Sequence, residues 1–331
     1  MRVLVVACLL LTACGARSGN IAVQIANIGS GLQTFCMPVT IASTLGYYKQ
    51  EGLDATLVNL PSNAKTLEAL IGGSVDVAVI HSQQTIQMAA EGQRVQSFFV
   101  LNRRDTKVLI VSPAAAGRIR RAEDLKGKLI GVSAPGSSAH QWVIRYLAVH
   151  GIRAGDVSVI GIGLGASAVA AVESGRIDAA GLTGGDQFPL LRRHPDLRIL
   201  VDSSTPEGTR EIYGSDAYAG GTLSAKQEWL DRNPETARRI SRALQRALQW
   251  IATHSPEEIR ERLPDGFRSP DAALDLEVIR WSLPFFTAGG TMPKGAPESM
   301  KRFLDATVEK VRDSKIDLAA TWTNQFLPEP K

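Results

Sequence analysis

The sequence predicts an α/β protein of two lobes, each a mostly parallel sheet flanked by helices, with a ligand cleft between the lobes. Three observations predict it. A short pattern occurs twice: Ala69 to Ile80 reads ALIGGSVDVAVI and Ala171 to Leu182 reads AVESGRIDAAGL. Aligned without a gap, the copies place Gly73 on Gly175, Val75 on Ile177, Asp76 on Asp178, Ala78 on Ala180 and Ile80 on Leu182. Each copy reads as a helix end, a Gly stop and a short apolar strand. The surroundings repeat as well. An Ala-rich helix precedes each copy, LPSNAKTLEAL and GLGASAVAAV, and further back GYYKQEGLDATLV and LAVHGIRAGDVSVI both run helix, Gly, strand. The third observation is size, since 331 residues of which 44% are hydrophobic suffice for two cores. Two similar units make two lobes, and ligands of open α/β sheets collect in the crevice at strand carboxyl ends.

The chain opens with a segment that stands outside the fold. Arg2, the apolar run Val3 to Leu11 and the small residues up to Cys14 are too short to span a bilayer and have the layout of a secretory leader. Leu11-Thr12-Ala13-Cys14 matches a bacterial lipoprotein box, so residues 1–13 are expected to be removed and Cys14 to carry lipid. Residues 14–20 then form a tether that holds a soluble body at a membrane surface. The net charge of +4 becomes +3 once Arg2 leaves, too weak to imply nucleic acid. With Cys8 removed and Cys14 acylated, Cys36 is the remaining thiol, which excludes an intramolecular disulfide and a thiolate metal cluster; no cofactor is expected.

In chain order, Ile21 to Ile28 is a buried strand, and Ser30, Gly31 and Gln33 in the loop after it are candidate ligand contacts. A helix is expected from Pro38 to Lys49, a strand from Asp54 to Leu60, and a helix from Ala64 to Ile71 capped by Ser62 or Asn63. The strand Val75 to Ile80 ends in His81, Ser82, Gln83 and Gln84, polar side chains where the first repeat opens on the cleft, with no Ser, His, Asp set nearby in sequence. A helix from Gln84 to Glu91 and a strand from Val95 to Leu101 lead to a charged crossover, and Val108 to Val111 is the next strand. The basic run Arg118 to Arg121 reads as a solvated face.

After the strand Leu129 to Val132, Gly136, Ser137 and Ser138 start a helix whose Trp142, Val143, Tyr146 and Leu147 keep core spacing. Free N–H groups, the positive dipole end and two hydroxyls there suit a polar or anionic headgroup, and no Lys follows, so this is no nucleotide P-loop. GIGLGA at Gly161 to Ala166 satisfies the dinucleotide fingerprint formally but lacks a ribose-binding acid at the expected distance. By the repeat, Thr183, Gly184, Gly185, Asp186 and Gln187 face the His81 loop across the cleft, with Thr183 and Asp186 as candidate contacts. Leu197 to Val201 is a strand, Ser203 to Arg210 a polar hinge, and Tyr213 to Leu223 a strand-like segment in which Tyr218 is available to a ligand. The remainder is helical: Asn233-Pro234, Ser255-Pro256, Ser269-Pro270 and Ala296-Pro297 are helix starts, and Trp250, Trp281 and Trp322 read as helix-face packing.

LGYYKQEGLDATLV, LEALIGGSVDVAVI, AEDLKGKLIGVSAPGSSAHQWVIRYLAVHGI, AAVESGRIDAA and RALQRALQWIATH, together covering most of Ile21 to His254, resemble the sulfonate, nitrate and thiamine-precursor group of periplasmic solute-binding proteins, the SsuA/THI5-like or NMT1-like family. The resemblance implies the periplasmic-binding-protein type II fold, with residues 21–104 and 205–331 in lobe 1 and 105–204 in lobe 2. It implies a monomer that traps a small molecule in the cleft, closes about crossovers near Asn102 to Lys107 and Asp202 to Arg210, and delivers the solute to an ABC permease with its ATPase. Carried over by motif, the pocket loops are Ser30 to Gln33, His81 to Gln83, Gly136 to Ser138 and Thr183 to Asp186. Many relatives hold an aromatic and a Glu-Pro pair at the last loop, where this chain has Thr-Gly-Gly-Asp. Two other readings stay open: an enzyme like the pyrimidine synthases of thiamine biosynthesis, whose Cys-rich iron motif has no counterpart here, and a ligand-sensing lipoprotein that works with a receptor.

Overall fold

The computed structural model describes residues 20–28 and 34–329. The expected leader, the Cys14 lipidation site and the loop contacts Ser30, Gly31 and Gln33 lie outside them. Ten strands form two sheets of five. The first is ordered β2-β1-β3-β10-β4, from β1 (Ile21–Ile28), β2 (Leu53–Leu60), β3 (Val77–His81), β4 (Val95–Val100) and β10 (Gly221–Lys226). The second is ordered β7-β6-β8-β5-β9, from β5 (Val108–Val111), β6 (Leu129–Val132), β7 (Ser158–Gly161), β8 (Ala179–Leu182) and β9 (Ile199–Asp202). Both sheets share one plan. Three neighbouring strands run parallel, and the fourth place is taken by an antiparallel strand, β10 in one sheet and β5 in the other.

The repeat explains itself in the geometry. Gly73 and Gly175 both adopt φ near +70, at 76 and 67, which a side chain would strain, and so end their helices. Asp76 and Asp178 then perform one task in both lobes. Each pairs through its backbone N–H with the preceding parallel strand, at Gln24 O (3.0 Å) and Leu129 O (2.8 Å). Each carboxylate returns to the same strand and accepts from Gln24 N (2.8 Å) or Leu129 N (3.0 Å). The repeated acid therefore closes the start of a parallel ladder, where a strand-end N–H would otherwise lack a partner.

The chain crosses between sheets twice, through residues 101–107 and 203–220. Helix Pro234–Thr253 buries Ala237, Ile240, Leu244, Leu248 and Ile251 against the first sheet's core, which also takes Val39, Tyr48, Leu53 and Phe99. Several local expectations are corrected. The helix expected over 38–49 is two pieces, Met37–Thr44 and Tyr47–Gln50, because Gly46 turns left-handed at φ 70. The hinge expected over 203–210 contains a helix, Pro206–Tyr213, whose cap Thr205 accepts from Gly208 N. Gly208 has no room for a Cβ, which would stand 2.0 Å from Asp202 O. The strand expected from Tyr213 begins at Gly221. Asp271, not Ser269, caps helix Ala272–Ser282, and Trp322 pairs by a single bridge with Ser97 rather than packing from a helix. Ser62 and Ser255 cap as read, the latter in a reciprocal box with Glu258. Arg118, Arg120 and Arg121 are exposed. Among the described residues no helix is long and apolar enough to cross a membrane.

Candidate functional site

The carboxyl ends of β1 and β3 in one sheet and of β6 and β8 in the other supply the polar groups. In lobe 1, β1 ends beside Asn27, which is fully buried and donates through Nδ2 to Thr40 Oγ1 (3.2 Å). At the end of β3, His81 is 3% exposed and packs against Phe35 with ring centroids 5.1 Å apart. Its backbone N–H donates to Gln84 Oε1 (3.0 Å), which starts helix Ser82–Ala90, while neither ring nitrogen has a hydrogen-bond partner. Burial, reinforced by the Lys107 ammonium and opposed by Asp105, pushes the imidazole down to about 3, so His81 is neutral. Ser82 is spent structurally, donating to Ala219 O (2.5 Å).

In lobe 2, Gly136 takes φ 78 and its N–H donates to His140 Nδ1 (2.9 Å). Ser137 caps helix Ser138–Val149, accepting from His140 N (3.2 Å) and from Ser133 Oγ (3.0 Å). Its acceptor capacity is thus taken by the helix start, and its own O–H remains. Ser138 and Thr183 are buried beside these turns. Asp186 is 1% exposed: Oδ2 accepts from Gly165 N (3.1 Å) and Oδ1 has no partner. Burial raises this carboxyl to about 7 against the opposing Gly165 hydrogen bond. The glycine-rich GIGLGA turn therefore holds a carboxylate of its own chain, through the N–H that caps helix Ala166–Glu173.

The two sets converge on the first crossover. Gly184 N donates to Thr106 Oγ1 (3.3 Å), and Asp105 and Lys107, on either side of Thr106, both act electrostatically on His81. Gln83 reaches across the lobes, donating through Nε2 to Gln141 Oε1 (2.5 Å). The crossover itself is anchored by a buried ion pair, Lys107 Nζ to Asp105 Oδ1 (2.7 Å), both side chains fully buried, with Tyr213 OH donating to Asp105 Oδ2 (2.5 Å). Away from the crossovers, Arg192 on helix Gln187–Arg193 bridges to Asp271 and Glu277, and Phe188 meets Trp281 edge-on at 5.2 Å.

The first crossover is thus touched from both sheets, by His81 through the field of Asp105 and Lys107 and by the Thr183 to Asp186 loop through Gly184. Tyr218, 2% exposed with its ring 4.9 Å from Tyr213, also reaches this crossover, through Asp105. Sequence reading missed Asn27, Gln141 and the pairing of Asp105 with Lys107. Asn27 carried a signal, a polar residue at a strand end; the ion pair carried none beyond a charged crossover.

A model of the family described as NMT1/THI5 like matches residues 33–259. YtlA of Bacillus subtilis (strain 168), named only as a binding protein, is 25% identical over 271 residues, 79% of this chain and 75% of that protein. THI5 of Saccharomyces cerevisiae (strain ATCC 204508 / S288c), named a 4-amino-5-hydroxymethyl-2-methylpyrimidine phosphate synthase, is 24% identical over 225 residues, 65% of this chain and 63% of that protein. Among solved structures, one from Bordetella bronchiseptica RB50 is 35% identical with TM-score 0.86, covering 93% of this chain and 96% of that one. The alkanesulfonate-binding protein SsuA of Xanthomonas axonopodis pv. citri bound to MOPS is 18% identical with TM-score 0.69, covering 92% and 99%. The architecture is the periplasmic-binding-protein fold.

Proposed function

The chain belongs to the NMT1/THI5-like family, and from that premise we propose that it is the solute-binding component of an ABC-type uptake system. It captures a small polar organic solute between its lobes and delivers it to a permease driven by an ATPase. The observation that carries this reading is that the loops after both repeat strands reach the first crossover, one through His81 beside Asp105 and Lys107 and the other through Gly184 on Thr106, and that His81 and Asp186 are both buried with unpartnered polar atoms. Gln83 and Gln141 join the lobes there, so closure covers the site. The solute's acceptor end is assigned to the start of helix Ser138–Val149, where the helix dipole and the Ser138 hydroxyl favour it. The body works as a monomer on the outer side of a membrane, held by lipid on Cys14.

The binding role and not catalysis is favoured by the relative named as a binding protein and by the state of Cys36, fully buried with its thiol pushed up to about 12. A thiol in that state is neither a nucleophile nor a ready metal ligand. The test is a thermal-shift screen of a metabolite library followed by calorimetry. One solute class should bind with a stoichiometry of one and be recovered chemically unchanged. Turnover of the bound compound would replace this reading with the synthase one. Loss of membrane fractionation in Cys14→Ser tests the anchor, and unchanged fractionation would remove it.

A further inference from the structure

Of the buried polar atoms without a protein partner among the described residues, those of Asn63, Ser112, Gln227 and Ser241 lie apart from one another, and a further set shares one kind of place in both sheets. Asn27 Oδ1, both ring nitrogens of His81, Asp186 Oδ1 and Gln187 Oε1 all lie at or just past the carboxyl ends of β1, β3 and β8. The four residues are 0%, 3%, 1% and 4% exposed. Each such atom destabilises the fold while it stays unpaired, so a concentration of them at facing strand ends marks where an incoming molecule supplies the partners.

Their chemistry is one-sided. Asn27 and Gln187 each leave an oxygen acceptor unused, Asp186 Oδ1 adds another when the carboxyl is ionised, and the neutral imidazole offers one donor and one acceptor. The cation beside them, Lys107, is already taken by Asp105. An all-acceptor oxyanion would set oxygen against oxygen here and add a like charge to Asp186 whenever that carboxyl is ionised. We propose that the cleft selects solutes whose end facing Asp186 and His81 carries hydrogen-bond donors, an amine or ring N–H groups, and rejects oxyanions at that end. This rests on the solute-binding reading above and narrows it.

The test uses matched probes on the full chain: 2-aminoethanesulfonate against ethanesulfonate, and 2-aminopyridine against benzenesulfonate, by thermal shift and calorimetry. The amine-bearing member should bind at least about tenfold more tightly than its partner, one such factor being the discrimination of a single charge-assisted hydrogen bond. Asp186→Asn should abolish that preference while melting no lower than the parent at pH 8. His81→Leu, which removes both ring nitrogens from the other lobe, reads the same preference if the first variant folds poorly. Equal or tighter binding of the sulfonate member, indifferent to Asp186→Asn, would overturn this inference and leave the solute-binding reading standing. If neither the probes nor the metabolite library raises the melting temperature, the solute-binding reading itself falls and takes this one with it.

Discussion

The two repeat units begin alike and end differently. At their starts Asp76 and Asp178 make the same pair of contacts to the neighbouring strand, 2.8 and 3.0 Å for the carboxylate and 3.0 and 2.8 Å for the backbone. Just past their ends, lobe 1 buries an imidazole held neutral and lobe 2 a carboxyl raised toward neutrality, each with unpartnered atoms. The starts answer to the backbone, which is the same in both sheets. The ends make no such shared backbone contact, and under the proposed function they differ because they answer to the solute.

That comparison breaks most severely where the copies meet. Lys107→Met would leave Asp105 buried without its cation, with neutral donors such as Tyr213 OH and Thr106 N in its place. A loss of about 3 to 5 kcal/mol in unfolding free energy is expected in urea titration, the usual cost of stranding one member of a buried pair. A loss below about 1 kcal/mol would mean that the pair is solvated and that the crossover is not the anchor described.

The second way concerns the strand ends and runs with pH. Asp186 sits at about 7 in the fold against an ordinary 3.8, so between these values the folded chain holds a proton that the unfolded chain has released. Its contribution therefore falls as pH rises from about 4 to about 7, by about 4 kcal/mol in all. His81 runs the other way: with its folded value at about 3 against 6.5, its contribution is complete above about 6.5 and is lost as pH falls. The groups that act on His81 are Lys107 and Asp105; for Asp186 the counterpart is the Gly165 N–H. Asp186→Asn should thus match the parent near pH 4 and exceed it increasingly toward pH 8 in denaturant midpoints. Parallel stability curves for the two proteins would show that the carboxyl is already partnered.

The mildest test sharpens the conserved half. Asp76→Ala and Asp178→Ala each orphan a strand N–H and should cost about 1 to 3 kcal/mol. Asp76→Ala should cost more, because Asp76 Oδ1 also accepts from Trp229 Nε1 (3.0 Å), whereas the second contact of Asp178 is the exposed Arg118 at 3.4 Å. The reverse order in thermal denaturation would undo the equivalence drawn between the two acids.

What the sequence made legible follows the same line. The strands of the repeat, the glycine stops and the helix caps at Ser62, Ser137 and Ser255 are local, and local chemistry is readable from neighbours in the chain. His81, Gln83 and Asp186 were readable as polar residues beyond apolar strands. Their surroundings were not. Asp186 is held from Gly165, Gln83 meets Gln141 and Asp105 meets Tyr213, contacts that span 21, 58 and 108 positions and have no periodicity to betray them. The helix Pro206–Tyr213 carried a start signal in Thr205-Pro206, but Gly208 within it reads as a breaker; its reason is the close approach of Asp202 O, a tertiary fact.

The claim on which all of this turns is that one solute is held between the two lobes and that the lobes close on it. Small-angle scattering of the full chain measures this directly, with and without the tightest-binding compound from the library at about a hundred times its dissociation constant, where occupancy is essentially complete. The account predicts a smaller radius of gyration on binding, with rotation about the crossovers at 101–107 and 203–220 and with the bound form holding the contacts of this structure, Gln83 to Gln141 and Arg192 to Asp271. Calorimetry showing one bound solute per chain, with a radius of gyration that does not change, would contradict it.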